Sequence, residues 1–246
     1  MLDIDERSGV VVVRLRHGKV NALDTELLTA ITTAMREIDP ATPIVLTGSD
    51  PAFSAGVDLR RIVDGGPSYV EEFLDALSET FLAVFDRPGP TVAAINGHAI
   101  AGGCVLAAAC DTRLMSDGRI GLSELRVGVP FPSTALEIMR HVVGVDLGRL
   151  VIGAALFDPP QALSRGLVDQ VVFPRDLLDR AVGEALRMRE IPAEAFAFTK
   201  RQLHRPVHER IAARADDDKD VARMWSSPNT LATITAYLDA LRKPAP

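Results

Sequence analysis

Glu124 is the residue whose neighbours best suit it to act as a base. It closes the stretch IGLSE and is flanked by Ile120, Leu122, Val127 and Val129. A carboxylate held against apolar neighbours resists ionisation and is a stronger base once charged. At a helix start the same carboxylate would instead be stabilised by the helix dipole. Two small-residue turns precede it, FSAGVDL at 53–59 and AIAGGCV at 99–105. Each follows a short apolar run and leads towards a helix, so backbone N–H groups, that of Val57 in the first turn and those at the helix start in the second, are free to point at an oxygen. Asp58 can cap or brace the first turn. Either turn alone is a weak signal, and the second alone reads better as tight helix–sheet packing. Two converging donors make an oxyanion hole, and beside one carboxylate the chemistry is proton transfer through an enolate. Val105, one turn into the glycine-led helix, offers no second acid.

Other groupings offer less. Ser54, His98 and Asp58 or Asp111 can be assembled into a hydrolytic triad on paper, but no GxSxG elbow is present. His204 and His208 stand four residues apart with Pro206 between them and no third ligand, and no metal site is expected. Cys104 and Cys110 would lie about 9 Å apart along a helix, too far for a disulfide, and are read as reduced core thiols. No phosphate-binding glycine loop occurs. The run ADDDKD at 215–220 is a solvated helix face.

The elements that position these residues alternate. VVVVRL (10–15), IVLTG (44–48), TVAAI (91–95) and VDQVV (168–172) are short apolar strands. DTRLMS and RIGL are strand-like. A helix follows Asp24 to about residue 38, with apolar positions at helical spacing, and others are expected over 68–85, 133–143 and 146–154. DPPQALSRG begins another, with Asp158 as N-cap, Pro159 at the first position and Gln161 three residues past the cap. From Pro174 onward the pattern is helical, near 176–190, 193–204, 208–225 and 230–242. Alternating strands and helices predict an α/β fold, and the helical end predicts a packing or oligomerisation region.

The chain has 246 residues, 47% hydrophobic and 24% charged, with a formal net charge of −6. That balance is ordinary for a globular protein and disfavours nucleic acid as a partner. No apolar run reaches membrane-spanning length, and MLDIDERSG has neither the basic start nor the apolar core of a signal peptide. A cytoplasmic protein without a membrane partner is expected.

Across nearly its whole length the chain resembles the crotonase (enoyl-CoA hydratase/isomerase) superfamily. The resemblance is carried by VNALDTELL, IVLTGSDPAFSAGVDL, TVAAINGHAIAGGCVLAAACDTRLM, IGLSELRVGVPFP and DPPQALSRGLVDQVV. It implies a crotonase-like spiral of ββα units over residues 1–190, carrying the acyl-CoA site, and a C-terminal helical trimerisation region over 191–246. A homotrimer or dimer of trimers would follow. The implied substrate is an acyl-CoA thioester, with coenzyme A part of the substrate and no separate cofactor. The N–H groups of Val57 and Gly102 would hold the thioester oxygen. Ser54, Ala55, Gly56, Asp58, Leu59, Gly103 and Ser123 would line the CoA and substrate site, and the acyl tail would lie near residues 62–85 and 129–140. Hydratases of the superfamily place a glutamate where this chain has Val105. The chain is most similar to the mitochondrial-type Δ3,Δ2-enoyl-CoA isomerases, which keep the single glutamate matched by Glu124. The implied reaction is a one-base 1,3-proton shift in fatty-acid oxidation. Hydration, another crotonase reaction or non-catalytic acyl-CoA binding are the alternatives.

Overall fold

A computed structural model describes residues 1–49 and 51–242, with Arg242 described by its backbone. The apolar runs become the spine of a six-stranded sheet ordered β1-β2-β3-β5-β7-β10. Its strands are β1 (Leu2–Arg7), β2 (Val10–Leu15), β3 (Ile44–Thr47), β5 (Thr91–Ile95), β7 (Thr112–Met115) and β10 (Gln170–Val171). β3 and β5 are buried at every position, as a strand covered on both faces must be. β1 pairs antiparallel with β2 through a two-residue turn, Ser8-Gly9, both at positive φ. Every other neighbouring pair in this sheet is parallel.

A second sheet, ordered β4-β6-β8-β9, is built from fragments of two or three residues. These are β4 (Ala52–Ser54), β6 (His98–Ile100), β8 (Ile120–Gly121) and β9 (Leu156–Phe157). β4, β6 and β8 run parallel, and β9 joins β8 antiparallel. The pairs β3/β4, β5/β6 and β7/β8 each send their first strand to the large sheet and their second to the small one. A helix follows each pair: α2 (Leu59–Phe85), α3 (Gly102–Ala108) and, after a 3₁₀ turn at Glu124–Val127, α4 (Ser133–Val143). Repetition of this unit is the spiral. It stacks the starts of α2, α3 and the 3₁₀ turn beside the ends of the small sheet's strands.

Local signals place the helix starts. Asp24 accepts from Leu27 N at 2.8 Å and opens α1 (Thr25–Glu37). Asp158 and Gln161 form a reciprocal capping box at α6 (Pro159–Ser164), which follows α5 (Leu147–Gly153). The second helix was expected from residue 68. It begins at Leu59, because the Asp58 carboxylate accepts from Arg60 N and Arg61 N, and it breaks only at Gly66 (φ 69°), before Pro67.

After α7 (Leu177–Arg189) come α8 (Ala193–Ala212), α9 (Ala215–Trp225) and α10 (Pro228–Arg242). Separate helices were expected near 193–204 and 208–225, yet α8 runs through Pro206 to Ala212. A proline costs the helix one hydrogen bond, and burial of His204 and Val207 on either side holds the helix to the core. His204 stacks on Phe85 with ring centroids 3.5 Å apart. Glu137 on α4 is fully buried and meets Arg140, Arg210 and Arg214 at 3.1, 2.5 and 3.2 Å. A buried carboxylate needs such partners, and these tie α4 to α8 and the turn after it. Val207, Val221, Trp225 and Ile234 belong to the same hydrophobic cluster as Phe53 and Phe73, so the region after residue 190 shares the spiral's core. No helix among the described residues is long and apolar enough to cross a membrane.

Candidate active site

The two small-residue turns meet. A Cβ placed on Gly56 (φ +82°) would lie 2.5 Å from Ile100 O, 3.0 Å from Ala101 Cβ and 3.2 Å from Gly102 N. Only glycine allows that approach and that φ. In the first turn Leu23 N donates to Gly56 O at 2.8 Å, and Asp58 N donates to Leu23 O at 2.9 Å. These bonds take the groups on one edge of the extended segment. Alternation along the chain turns the Val57 N–H to the other edge. In the second turn Gly102 is the first residue of α3, where a helix N–H has no intrahelical partner. Ala101 before it sits at φ 54°, ψ −122°, a conformation costing a non-glycine residue about 1–3 kcal/mol. Strain of this kind is kept where the geometry is used.

Beside the junction opens a cavity of about 540 Å³. Ala55, Val57, Asp58 and Leu59 line it from the first turn, and Ile100 and Ala101 from the second. Ser123 and Glu124 reach it from the 3₁₀ turn. Glu124 is 8% exposed, and its Oε2 is buried with no hydrogen-bond partner. Burial pushes its carboxyl up from 4.5 to about 8, partly offset by the backbone N–H groups of Glu124 and Ser123. Gly128 (φ 77°) closes the turn and donates back to Glu124 O and Leu125 O. Asp58 is the other acid on the wall, and its carboxylate is engaged in capping α2. Val105 is fully buried in the core.

Three residues expected on the substrate wall lie behind it. Ser54 is fully buried, donating its hydroxyl to Asn21 O at 2.7 Å and accepting from Gly56 N at 3.2 Å, so it shapes the turn. Gly56 is likewise buried and spaces the turns. Gly103 is where α3 crosses β4: a Cβ there would fall 2.3 Å from Ser54 O. Gly102 follows the cavity-lining Ala101 in the chain and is itself buried. The tail wall expected near 62–85 and 129–140 is met only by Val129.

The cavity also has walls that short-range patterns gave no sign of. The loop between β2 and α1 contributes His17, Lys19 and Val20, with His17 Nε2 2.6 Å from Asp24 Oδ2. Arg60 and Arg126 add positive charge, while Trp225, Tyr237, Leu238 and Leu241 close an apolar side from the far end of the chain.

The other groupings disperse. His98 Nδ1 accepts from Arg119 N, and Asp111 binds Lys200 Nζ at 2.8 Å, so no triad forms with Ser54. His204 and His208 both face Asp86, and no metal-ligating cluster occurs among the described residues. Cys104 and Cys110 are buried free thiols, and burial pushes the Cys110 thiol up to about 12. A second cavity, about 460 Å³, holds Lys200 and Arg113, whose charges are already paired with Asp111 and Asp169.

Comparison with known proteins identifies the family and the fold. Residues 5–243 match the family described as Enoyl-CoA hydratase/isomerase. Human mitochondrial enoyl-CoA delta isomerase 1 is 27% identical, over 99% of this chain and 83% of its own. The probable enoyl-CoA hydratase echA17 of Mycobacterium avium is 30% identical, over 84% of each chain. The crystal structure of human mitochondrial Δ3-Δ2-enoyl-CoA isomerase superposes with a TM-score of 0.92 at 27% identity, covering 98% of both chains. The chain belongs to the enoyl-CoA hydratase/isomerase family.

Proposed function

We propose that this protein is a Δ3,Δ2-enoyl-CoA isomerase, shifting the double bond of a 3-enoyl-CoA thioester to the 2-position. One observation carries the reading: Glu124 is the acid on the cavity wall whose carboxylate is not spent on structure, and one of its oxygens is buried without a partner. The thioester oxygen would rest on the N–H groups of Val57 and Gly102. Glu124 takes a proton from C2, the electrons pass through the dienolate to the oxygen, and the protonated Glu124 returns the proton at C4. The net change is one proton moved and one double bond shifted, so a single base on one face suffices. Loss of an oxyanion donor costs on the order of 10²–10³ in rate. Lys19, Arg60 and Arg126 suit a polyanionic coenzyme A carried as part of the substrate, with no separate cofactor. A cytoplasmic homotrimer, or a dimer of trimers, working in fatty-acid oxidation is the setting we propose.

The hydratase name of the mycobacterial relative supports a second reading, hydration of a 2-enoyl-CoA. Purified protein given 3-hexenoyl-CoA and, separately, crotonyl-CoA separates the two. Formation of 2-hexenoyl-CoA, lost in Glu124→Ala, is the result expected. Rapid hydration of crotonyl-CoA with no isomerisation would replace the first reading by the second.

A further inference from the structure

Asn21 ties the loop before α1 to the first small-residue turn with every hydrogen bond its side chain can make. It is fully buried, and its backbone sits at φ 50°, in the left-handed region. Within its own loop, Oδ1 accepts from His17 N at 2.9 Å, and Asn21 N donates to His17 O at 3.0 Å. Across to the turn, Nδ2 donates to Ala52 O and Phe53 O at 3.0 and 3.1 Å, and Asn21 O accepts from Ser54 Oγ at 2.7 Å. β4 needs that help: it is an edge strand of the small sheet, and its register against β6 shifts between Ala52 and Ser54. Its buried carbonyls must therefore find partners outside the sheet. Asparagine meets every demand of the position. It tolerates the left-handed backbone and carries two donors and an acceptor on one short side chain. Aspartate could not donate, and glycine has nothing to donate with.

The clamp continues to the cavity. Ala55 N donates to Val20 O at 2.9 Å, Gly56 N to Ser54 Oγ at 3.2 Å, and Asp58 N to Leu23 O at 2.9 Å. Among the described residues, Val57 is the member of the turn 55–58 whose N–H has no hydrogen-bond partner, and Val57 lines the cavity. We infer that Asn21 is a positioning residue for the reaction: through Ser54 and the end of β4 it fixes where the Val57 N–H meets the thioester oxygen. The inference rests on the acyl-CoA reading above, in which that N–H is one of two oxyanion donors. Such a donor works by its preset aim, because the charge it meets develops in the transition state. Loosening the clamp therefore costs turnover more than it costs substrate binding.

The test compares wild type, Asn21→Gly and Ser54→Ala by thermal melt, by kcat and KM for 3-hexenoyl-CoA, and by infrared spectra of bound hexanoyl-CoA isotope-labelled at its carbonyl carbon. Glycine accepts the φ of 50°. Ser54→Ala removes one hydroxyl and leaves the turn's bonds to Val20 and Leu23 in place. In the folded proteins kcat is expected to fall on the order of 10²-fold in Asn21→Gly and about tenfold in Ser54→Ala. KM in Ser54→Ala should stay within about threefold of wild type. A hydrogen bond to the thioester oxygen lowers the carbonyl stretching frequency, and that shift should be clear in wild type and smaller in both variants. If Asn21→Gly does not fold, Ser54→Ala decides by the same readouts. Variants that melt earlier but keep the wild-type kcat and carbonyl shift overturn the inference. So does a wild type that isomerises 3-hexenoyl-CoA with no carbonyl shift on binding hexanoyl-CoA. A carbonyl shift weakened in the variants, without turnover of 3-hexenoyl-CoA by wild type, supports the positioning role and refutes the isomerase reading.

Discussion

Replacing Glu124 by glutamine should stabilise the protein, and increasingly so as pH rises. Burial lifts the Glu124 carboxyl from 4.5 to about 8. At about 1.36 kcal/mol per unit, the gap of about 3.5 makes the fully ionised side chain oppose folding by on the order of 5 kcal/mol. The sign follows from proton uptake. Between pH 4.5 and about 8 the folded state holds a proton on Glu124 that the unfolded chain has released, so stability falls as pH rises through this window and levels off above it. From pH 5 to 8.5 the fall amounts to about 4 kcal/mol from this residue alone. Glutamine keeps the shape and does not ionise. Urea unfolding of wild type and Glu124→Gln at both pH values, at one protein concentration, isolates the effect, because other titrating groups cancel in the double difference. The variant should gain about 4 kcal/mol on wild type between pH 5 and 8.5. Parallel pH dependences, within about 1 kcal/mol, would refute a strongly desolvated Glu124.

Because the working form of the base is the carboxylate, kcat/KM for 3-hexenoyl-CoA should rise with pH through about 8 and then level; a profile flat from pH 6 to 9 would contradict this. Gly103→Ala should unfold the protein or sharply lower its melting temperature, since the added carbon meets Ser54 O at 2.3 Å. Gly102→Ala, whose nearest neighbour is the terminal Leu23 Cδ1 at 3.1 Å, should remain folded by the same thermal melt. Arg87 is buried and donates to the carbonyls of Met35, Ile38, Asp39 and Thr42 around the end of α1. Arg87→Met should lower the unfolding free energy by about 3 kcal/mol or more in urea, because charge-assisted bonds are lost and buried acceptors left bare.

The large sheet was legible in the sequence because its central strands are covered on both faces and so read as continuous apolar runs. The small sheet was legible only at RIGL, which holds β8. β4, β6 and β9 are two or three residues long and exist through pairing between distant segments, which no local pattern encodes. β1 escaped for a different reason: its alternation is confined to Leu2 and Ile4, and the strand is exposed at nearly every position. At the site, Glu124 stood out by its apolar flanks and the turns by their small residues. Ser54 and Gly103 lie behind the cavity lining, and a small residue beside a ligand and one beneath a helix crossing look alike in sequence. His17, Lys19 and the α10 residues Tyr237, Leu238 and Leu241 reach the cavity across more than a hundred residues of chain from Glu124, and only the folded structure brings them there.

The most direct test of Glu124 as the single base follows one hydrogen. 3-Hexenoyl-CoA deuterated at C2 is converted in ordinary water, and the product's C4 position is analysed by mass spectrometry and NMR. The same carboxylate receiving and returning the proton predicts 2-hexenoyl-CoA with part of the deuterium carried to C4, and no product from Glu124→Gln. Product bearing only solvent hydrogen at C4, formed equally well by Glu124→Gln, would contradict it.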